Sequence, residues 1–203
     1  MEHARIESIG SEGYFMTIEG GKNGVRKGSY TTADIEALPE GERAELIDGE
    51  MFMMVTPTLT HQEILVELST QIYLYIKRNK GKCKMIPSAF AVYIKDDIHN
   101  YVEPDITVVC DRDKLDEKGC HGAPDWVIEI VSPSSRSMDY VRKLVLYEEA
   151  GVREYWIVDA KQRIITVYDF DHQKEPVQYT FSEKVKAGIY EDLFLDMREL
   201  ELG

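Results

Sequence analysis

The chain has 203 residues, 43% of them hydrophobic and 30% charged, enough for one domain with an ordinary core. No apolar run is long enough to span a bilayer, residues 1–28 lack the apolar stretch of a secretory signal, and the simplest compartment is the cytoplasm. A formal net charge of -13 excludes gripping nucleic acid through overall basicity, so any such contact must use local patches, metal ions or a partner.

In chain order, residues 1–28 are polar, rich in Gly and Ser, and without a firm period. They read as an arm, or as an added hairpin around Tyr14–Ile18, ahead of a single domain over 29–203. Thr32-Ala33-Asp34 opens a short helix that ends before Pro39. Ala44–Ile47 and Met51–Val55 flank Asp48-Gly49-Glu50, a strong hairpin signal. From about His61 to Lys77, Ile64, Leu65, Leu68, Ile72, Tyr75 and Ile76 recur at three- and four-residue spacing, which predicts an amphipathic helix. Strands are expected at Lys84–Ile94, Asp105–Cys110 and Trp126–Val131, followed by a helix that Ser137 can cap and Gly151 stops. Further strands at Glu154–Val158, Ile164–Phe170 and Val177–Phe181 precede a short C-terminal element. This order predicts an α/β, or mixed α+β, domain with a central mixed sheet flanked by helices.

Cys83, Cys110 and Cys120 are odd in number and form no CxxC pair, which predicts neither a disulfide framework nor a zinc ribbon. Cys120-His121 beside Asp116 and Glu117 reads as a solvated loop. Met51, Met53 and Met54 read as strand packing.

The informative residues are carboxylates where apolar side chains belong. Along Trp126–Val131, Trp126, Ile128 and Ile130 share one face while Val127, Glu129 and Val131 share the other. Both faces are apolar except for Glu129, and a buried carboxylate needs a partner or a cation. Asp105 follows Pro104 and shares a face with Thr107 and Val109. If its strand neighbours that of Glu129, the two carboxylates converge, and a divalent cation is the usual remedy for their repulsion. Oxygen ligands alone suit Mg²⁺ or Mn²⁺ rather than zinc. Lys143 lies on a mostly core-facing stripe with Tyr140, Leu144, Tyr147 and Ala150. It can bring its ammonium toward the sheet edge or pair with Asp139, four residues back.

With these residues in view, the sequence resembles the Uma-type restriction endonuclease family of the PD-(D/E)xK nuclease superfamily, from about Tyr30 to Leu195. The carrying segments are Glu45-Leu-Ile-Asp-Gly-Glu50, Pro57 with His61, Pro104-Asp105, Glu129-Ile-Val-Ser-Pro-Ser134, Lys143-Leu-Val-Leu-Tyr147 and Gly151-Val-Arg-Glu-Tyr-Trp-Ile-Val-Asp159. The resemblance implies a restriction-endonuclease-like sheet and Mg²⁺-dependent (or Mn²⁺-dependent) hydrolysis of phosphodiester bonds in nucleic acid, DNA first. Asp105 and Glu129 would be the metal ligands, and a homodimer would be natural for cutting both strands. The usual superfamily lysine, two residues after the second acid, is Val131 here. The resemblance transfers that role to Lys143, with Glu45 and His61 as second-tier site residues. Three alternatives stay open: a catalytically silent module on the same fold, an assembly subunit, and a hydrolase of small phosphoesters.

Overall fold

The computed structural model describes residues 29–131, 138–172, 174–198 and 200. The expected N-terminal arm and the Ser137 cap lie outside the described residues.

Helix α1 (Thr32–Glu36) leads into strands β1 (Ala44–Ile47) and β2 (Glu50–Met53), an antiparallel pair in register from Ala44↔Met53 to Ile47↔Glu50. The turn between them holds Asp48 at φ 51° and Gly49 at φ 78°, the two positive angles that match a tight turn to strand twist. Helix α2 (Leu59–Arg78) starts two residues earlier than periodicity suggested, because Thr58 caps it by accepting a bond from the His61 amide. It buries Ile64, Leu65, Leu68, Ile72 and Ile76, five of the six stripe residues, while Tyr75 is half-buried and donates its hydroxyl to Asp192.

The expected strand over Lys84–Ile94 is two shorter ones, β3 (Lys84–Pro87) and β4 (Val92–Tyr93). Strand β5 (Ile106–Val109) follows, then β6 (Cys120–His121), which pairs in parallel with β4, and β7 (Trp126–Val131). A π-helical turn, Met138–Lys143, continues into α3 (Leu144–Ala150), so the second expected helix is present in two geometries. Gly151 stops it at φ 87°. Strands β8 (Glu154–Asp159), β9 (Ile164–Asp169) and β10 (Val177–Thr180) come next, and the short C-terminal element is a hairpin of β11 (Lys184–Lys186) and β12 (Phe194–Asp196).

The main sheet is mixed and has six strands in the order β10-β9-β8-β7-β5-β3. Only β7 and β8 run parallel, and the π turn with α3 forms the crossover that such a pair requires. On one face, α2 and the C-terminal hairpin pack against Trp126, Ile128, Ile130 and Trp156, whose indole rings meet edge to face at 4.9 Å. On the other, Leu146 and Tyr147 of α3 pack against Val127, Val131, Tyr155 and Ile157. The two sides of β7 divide as its alternation predicted.

One expectation is corrected. Cys83 and Cys110 form a disulfide, and only Cys120, in β6, is free and buried. The physical reason is register. Strands β3 and β5 pair antiparallel through Lys84↔Val109, so the next residue on each strand is a cysteine facing a cysteine. Separated by 27 residues in sequence, they gave no spacing signal.

Candidate active site

The β5–β7 register runs Val108↔Trp126, Thr107↔Val127, Ile106↔Ile128. One step further sets Asp105 opposite Glu129. Asp105 Oδ2 accepts the Ile130 amide at 2.8 Å and lies 3.1 Å from His61 Nε2. The first turn of α2 thus reaches the sheet through His61, which stands at three-, four- and seven-residue spacing from the buried Ile64, Leu65 and Leu68. An ionised carboxylate can only accept, so Nε2 is the donor in this contact, and the other ring nitrogen, Nδ1, is buried without a partner.

Glu129 is buried at 4% exposure in the α3-side core. Its Oε1 accepts from Lys143 Nζ at 2.9 Å and from the Tyr147 hydroxyl at 2.7 Å. Lys143, 5% exposed, also reaches Glu45 at 2.8 Å and Asp139 at 3.6 Å. Both readings of this lysine therefore hold together: it pairs with Asp139 on its own element and delivers its ammonium to the sheet. Glu45, at the start of the hairpin, is buried too, and its Oε1 accepts the Glu103 amide at 3.0 Å. Glu45, His61, Asp105, Glu129 and Lys143 converge on one place from five separate stretches of chain.

The electrostatics are unbalanced. Burial pushes the Glu129 carboxyl well above the usual carboxylate range; the Lys143 ammonium pulls it back, and Asp139, Glu45 and Asp105 push it up again. Burial also works against the Lys143 ammonium, yet Glu129, Glu45 and Asp139 outweigh it and hold the amine well above its ordinary value. The Tyr147 phenol is raised by burial and by the Glu129 charge beside it, which keeps it a proton donor. Among the described residues, one buried cation therefore faces several carboxylates.

Tyr147 and Asp139 were not singled out as site residues by sequence. Tyr147 was readable as the residue one helical turn beyond Lys143, but tyrosine on a core-facing stripe reads as packing. Glu103, 8% exposed, was also missed. It takes Arg43 Nε at 2.8 Å and the Tyr101 hydroxyl at 2.8 Å, and so braces the strand entry behind Glu45.

Among the described residues, no three His, Cys, Asp or Glu side chains form a ready-made metal cage. Asp105 and Glu129 still suit a hard cation. Each commits one oxygen to its hydrogen bonds, and Asp105 Oδ1 and Glu129 Oε2 accept none among the described residues. One or two carboxylates completed by water is the donor set that Mg²⁺ favours.

A mixed six-stranded sheet with an aspartate and a glutamate facing each other on adjacent strands has the architecture of a nuclease fold. The likeness extends to the crystal structure of a "putative nuclease belonging to DUF820" from Anabaena variabilis, with a TM-score of 0.69 at 22% identity over 84% of this chain and 96% of that one. The chain belongs to the Uma2 family, described as "Putative restriction endonuclease", whose profile matches residues 32–198. An uncharacterized protein of Synechocystis sp. is 28% identical over 128 residues, 63% of this chain and 66% of that protein, so the match spans just under two thirds of that relative.

Proposed function

We propose that this protein is a metal-dependent nuclease that hydrolyses phosphodiester bonds in DNA, with Asp105, Glu129 and Lys143 as its catalytic residues. The observation that carries the reading is Lys143 Nζ at 2.9 Å from Glu129 Oε1, on the strand face where the superfamily's strand lysine would project from position 131. On this reading a helix residue would take the place of the missing strand residue.

Asp105 and Glu129 would hold Mg²⁺ or Mn²⁺ through Asp105 Oδ1 and Glu129 Oε2. The ion, when bound, would acidify a water and offset the charge that grows on the phosphate. His61 fixes the Asp105 carboxylate by its 3.1 Å contact, and Tyr147 fixes that of Glu129, so neither ligand has to be ordered at the moment of reaction. Lys143 supplies a proton donor and a positive charge for orienting the nucleophile or steadying the phosphate in the transition state. Glu45 holds the lysine from the far side.

The test is calorimetric titration with Mg²⁺ and Mn²⁺ of the wild-type protein, Asp105→Ala and Glu129→Ala, followed by assays on plasmid and single-stranded DNA at low salt. Metal binding lost in both variants, with metal-dependent cleavage that also requires Lys143, is expected. The enclosure of Lys143 between Glu45 and Glu129 favours a second reading, a metal-binding module without catalysis. Metal binding without cleavage would decide for it. An absence of site-dependent binding would remove the metal site altogether.

A further inference from the structure

The acidic balance of the chain is unevenly distributed. Between Lys77 and Lys84 the sequence reads Lys-Arg-Asn-Lys-Gly-Lys-Cys-Lys, with no acidic residue. Lys77, Arg78, Lys80, Lys82 and Lys84 are all exposed, and among the described residues none of them pairs with a carboxylate. Arg112 joins them by donating its Nε–H to the Lys82 carbonyl at 2.8 Å, although Asp111 and Asp113 flank it. The cluster wraps the edge of the sheet, from the last turn of α2 into β3. One or two lysines suffice to guard an edge strand against pairing with another chain. This group exceeds that need.

A second observation links the cluster to the candidate site. His61 lies in the first turn of α2 and Arg78 ends it. At 1.5 Å per residue the two are about 25 Å apart. Along the outer line of the helix, Gln62, Val66, Thr70, Tyr73 and Lys77 follow at four-, four-, three- and four-residue spacing, all exposed. Glu63 and Glu67, the helix's acidic residues, are half-buried off that line, and Glu67 accepts from Gln71. In a chain with 37 acidic residues, a carboxylate-free line from the site to its densest run of cations is the route a polyanion could follow.

We propose that residues 77–84, with Arg112, form the phosphate-backbone contact of this protein, seating a DNA duplex that runs along the outer line of α2 to the Asp105–Glu129 site. This rests on the nuclease reading above and adds where the substrate is held. About 25 Å corresponds to roughly seven base-pair steps of 3.4 Å, so these contacts fall well away from the cleaved bond and are blind to sequence. An anionic membrane is a poorer fit, because exposed apolar side chains that could enter a bilayer are absent from 77–84. The neighbouring cleft of about 460 Å³ lined by Lys82, Asp111, Asp125, Arg153 and Tyr190 is not the seat. Its arginine is already bonded to Asp125 and Asp171.

The experiment measures binding to a labelled duplex by fluorescence anisotropy in EDTA across a salt series, so that metal and cleavage play no part. Lys80→Glu/Lys82→Glu is compared with Lys118→Glu/Lys161→Glu, two exposed lysines elsewhere that change the net charge equally. The first pair should weaken binding at least tenfold and flatten the log–log salt slope by about 2, near 0.9 for each lost phosphate contact. The second should leave both close to wild type. Equal weakening by the two pairs, or no weakening by the first, overturns the proposal. So does capture of phosphatidylserine vesicles through the patch without duplex binding. Cleavage separates this from the nuclease reading: patch-dependent binding without Mg²⁺-dependent cleavage keeps the surface and sinks the nuclease, whereas cleavage indifferent to the patch does the reverse.

Discussion

The two faces of β7 are buried almost equally and are built on opposite principles. On the α2 side, Trp126, Ile128 and Ile130 meet other apolar side chains, and every contact contributes to stability. On the α3 side, one residue away along the same strand, Glu129 is surrounded by Lys143, Tyr147, Glu45 and Asp139. Desolvating such a group of charges is costly, and an apolar replacement of similar shape is often no less stable. The first face explains why the chain folds. The second packs Val127 and Val131 against α3 as well, but the charged group around Glu129 is not explained by packing, and it is the group on which the proposed function draws.

The sharpest way to break this comparison is a pair of neighbouring substitutions. Glu129→Gln should abolish DNA cleavage while leaving the denaturation midpoint unchanged or higher. Ile128→Ala should lose about 2–5 kcal/mol of stability in urea unfolding yet keep its activity per folded molecule. If Glu129→Gln also unfolds the protein, the α3-side charges are structural after all. Next in size is Lys143→Met, which leaves Glu45, Glu129 and Asp139 buried without their cation. The expected loss is about 3–5 kcal/mol at neutral pH. The Glu129 carboxyl is already raised, so the folded state binds a proton more readily than the unfolded one. Stability of this variant should therefore recover as pH falls and worsen as it rises; unfolding curves at pH 5 and pH 7 would check the sign.

Tyr147→Phe removes one bond to a carboxylate and little volume. It should cost about 1–3 kcal/mol, with Mg²⁺ affinity down about tenfold by calorimetry. The smallest expected effect is a partial rescue. Val131 shares the face of Glu129, so Val131→Lys in the Lys143→Met background should restore a measurable fraction of plasmid cleavage. No restoration would mean that the strand and helix positions do not address the same volume.

Much of this was legible because it follows from period and pattern. The α2 stripe, the Asp48-Gly49 turn, the sidedness of β7 and the inward reach of His61 and Lys143 are local consequences of backbone geometry. What escaped depends on register between distant strands. Cys83 meets Cys110 only because β3 aligns with β5 residue by residue, and Glu45 reaches Lys143 only once the hairpin has docked. Tyr147 escaped for another reason: its ring packs like any core aromatic, and only its hydroxyl, pointed at Glu129, carries a different meaning.

The single parallel contact of the sheet has one more implication. Because β7 and β8 point the same way, the chain must leave the sheet, arch over its face and return, and that arch carries Lys143 and Tyr147 into place. Hairpin pairing alone can set Asp105 beside Glu129, but it cannot bring an ammonium above them. The constellation is armed only when the arch has closed, whatever order the strands adopt. Under the proposed function, a copy whose arch has not closed lacks the lysine its chemistry needs and should not cleave DNA.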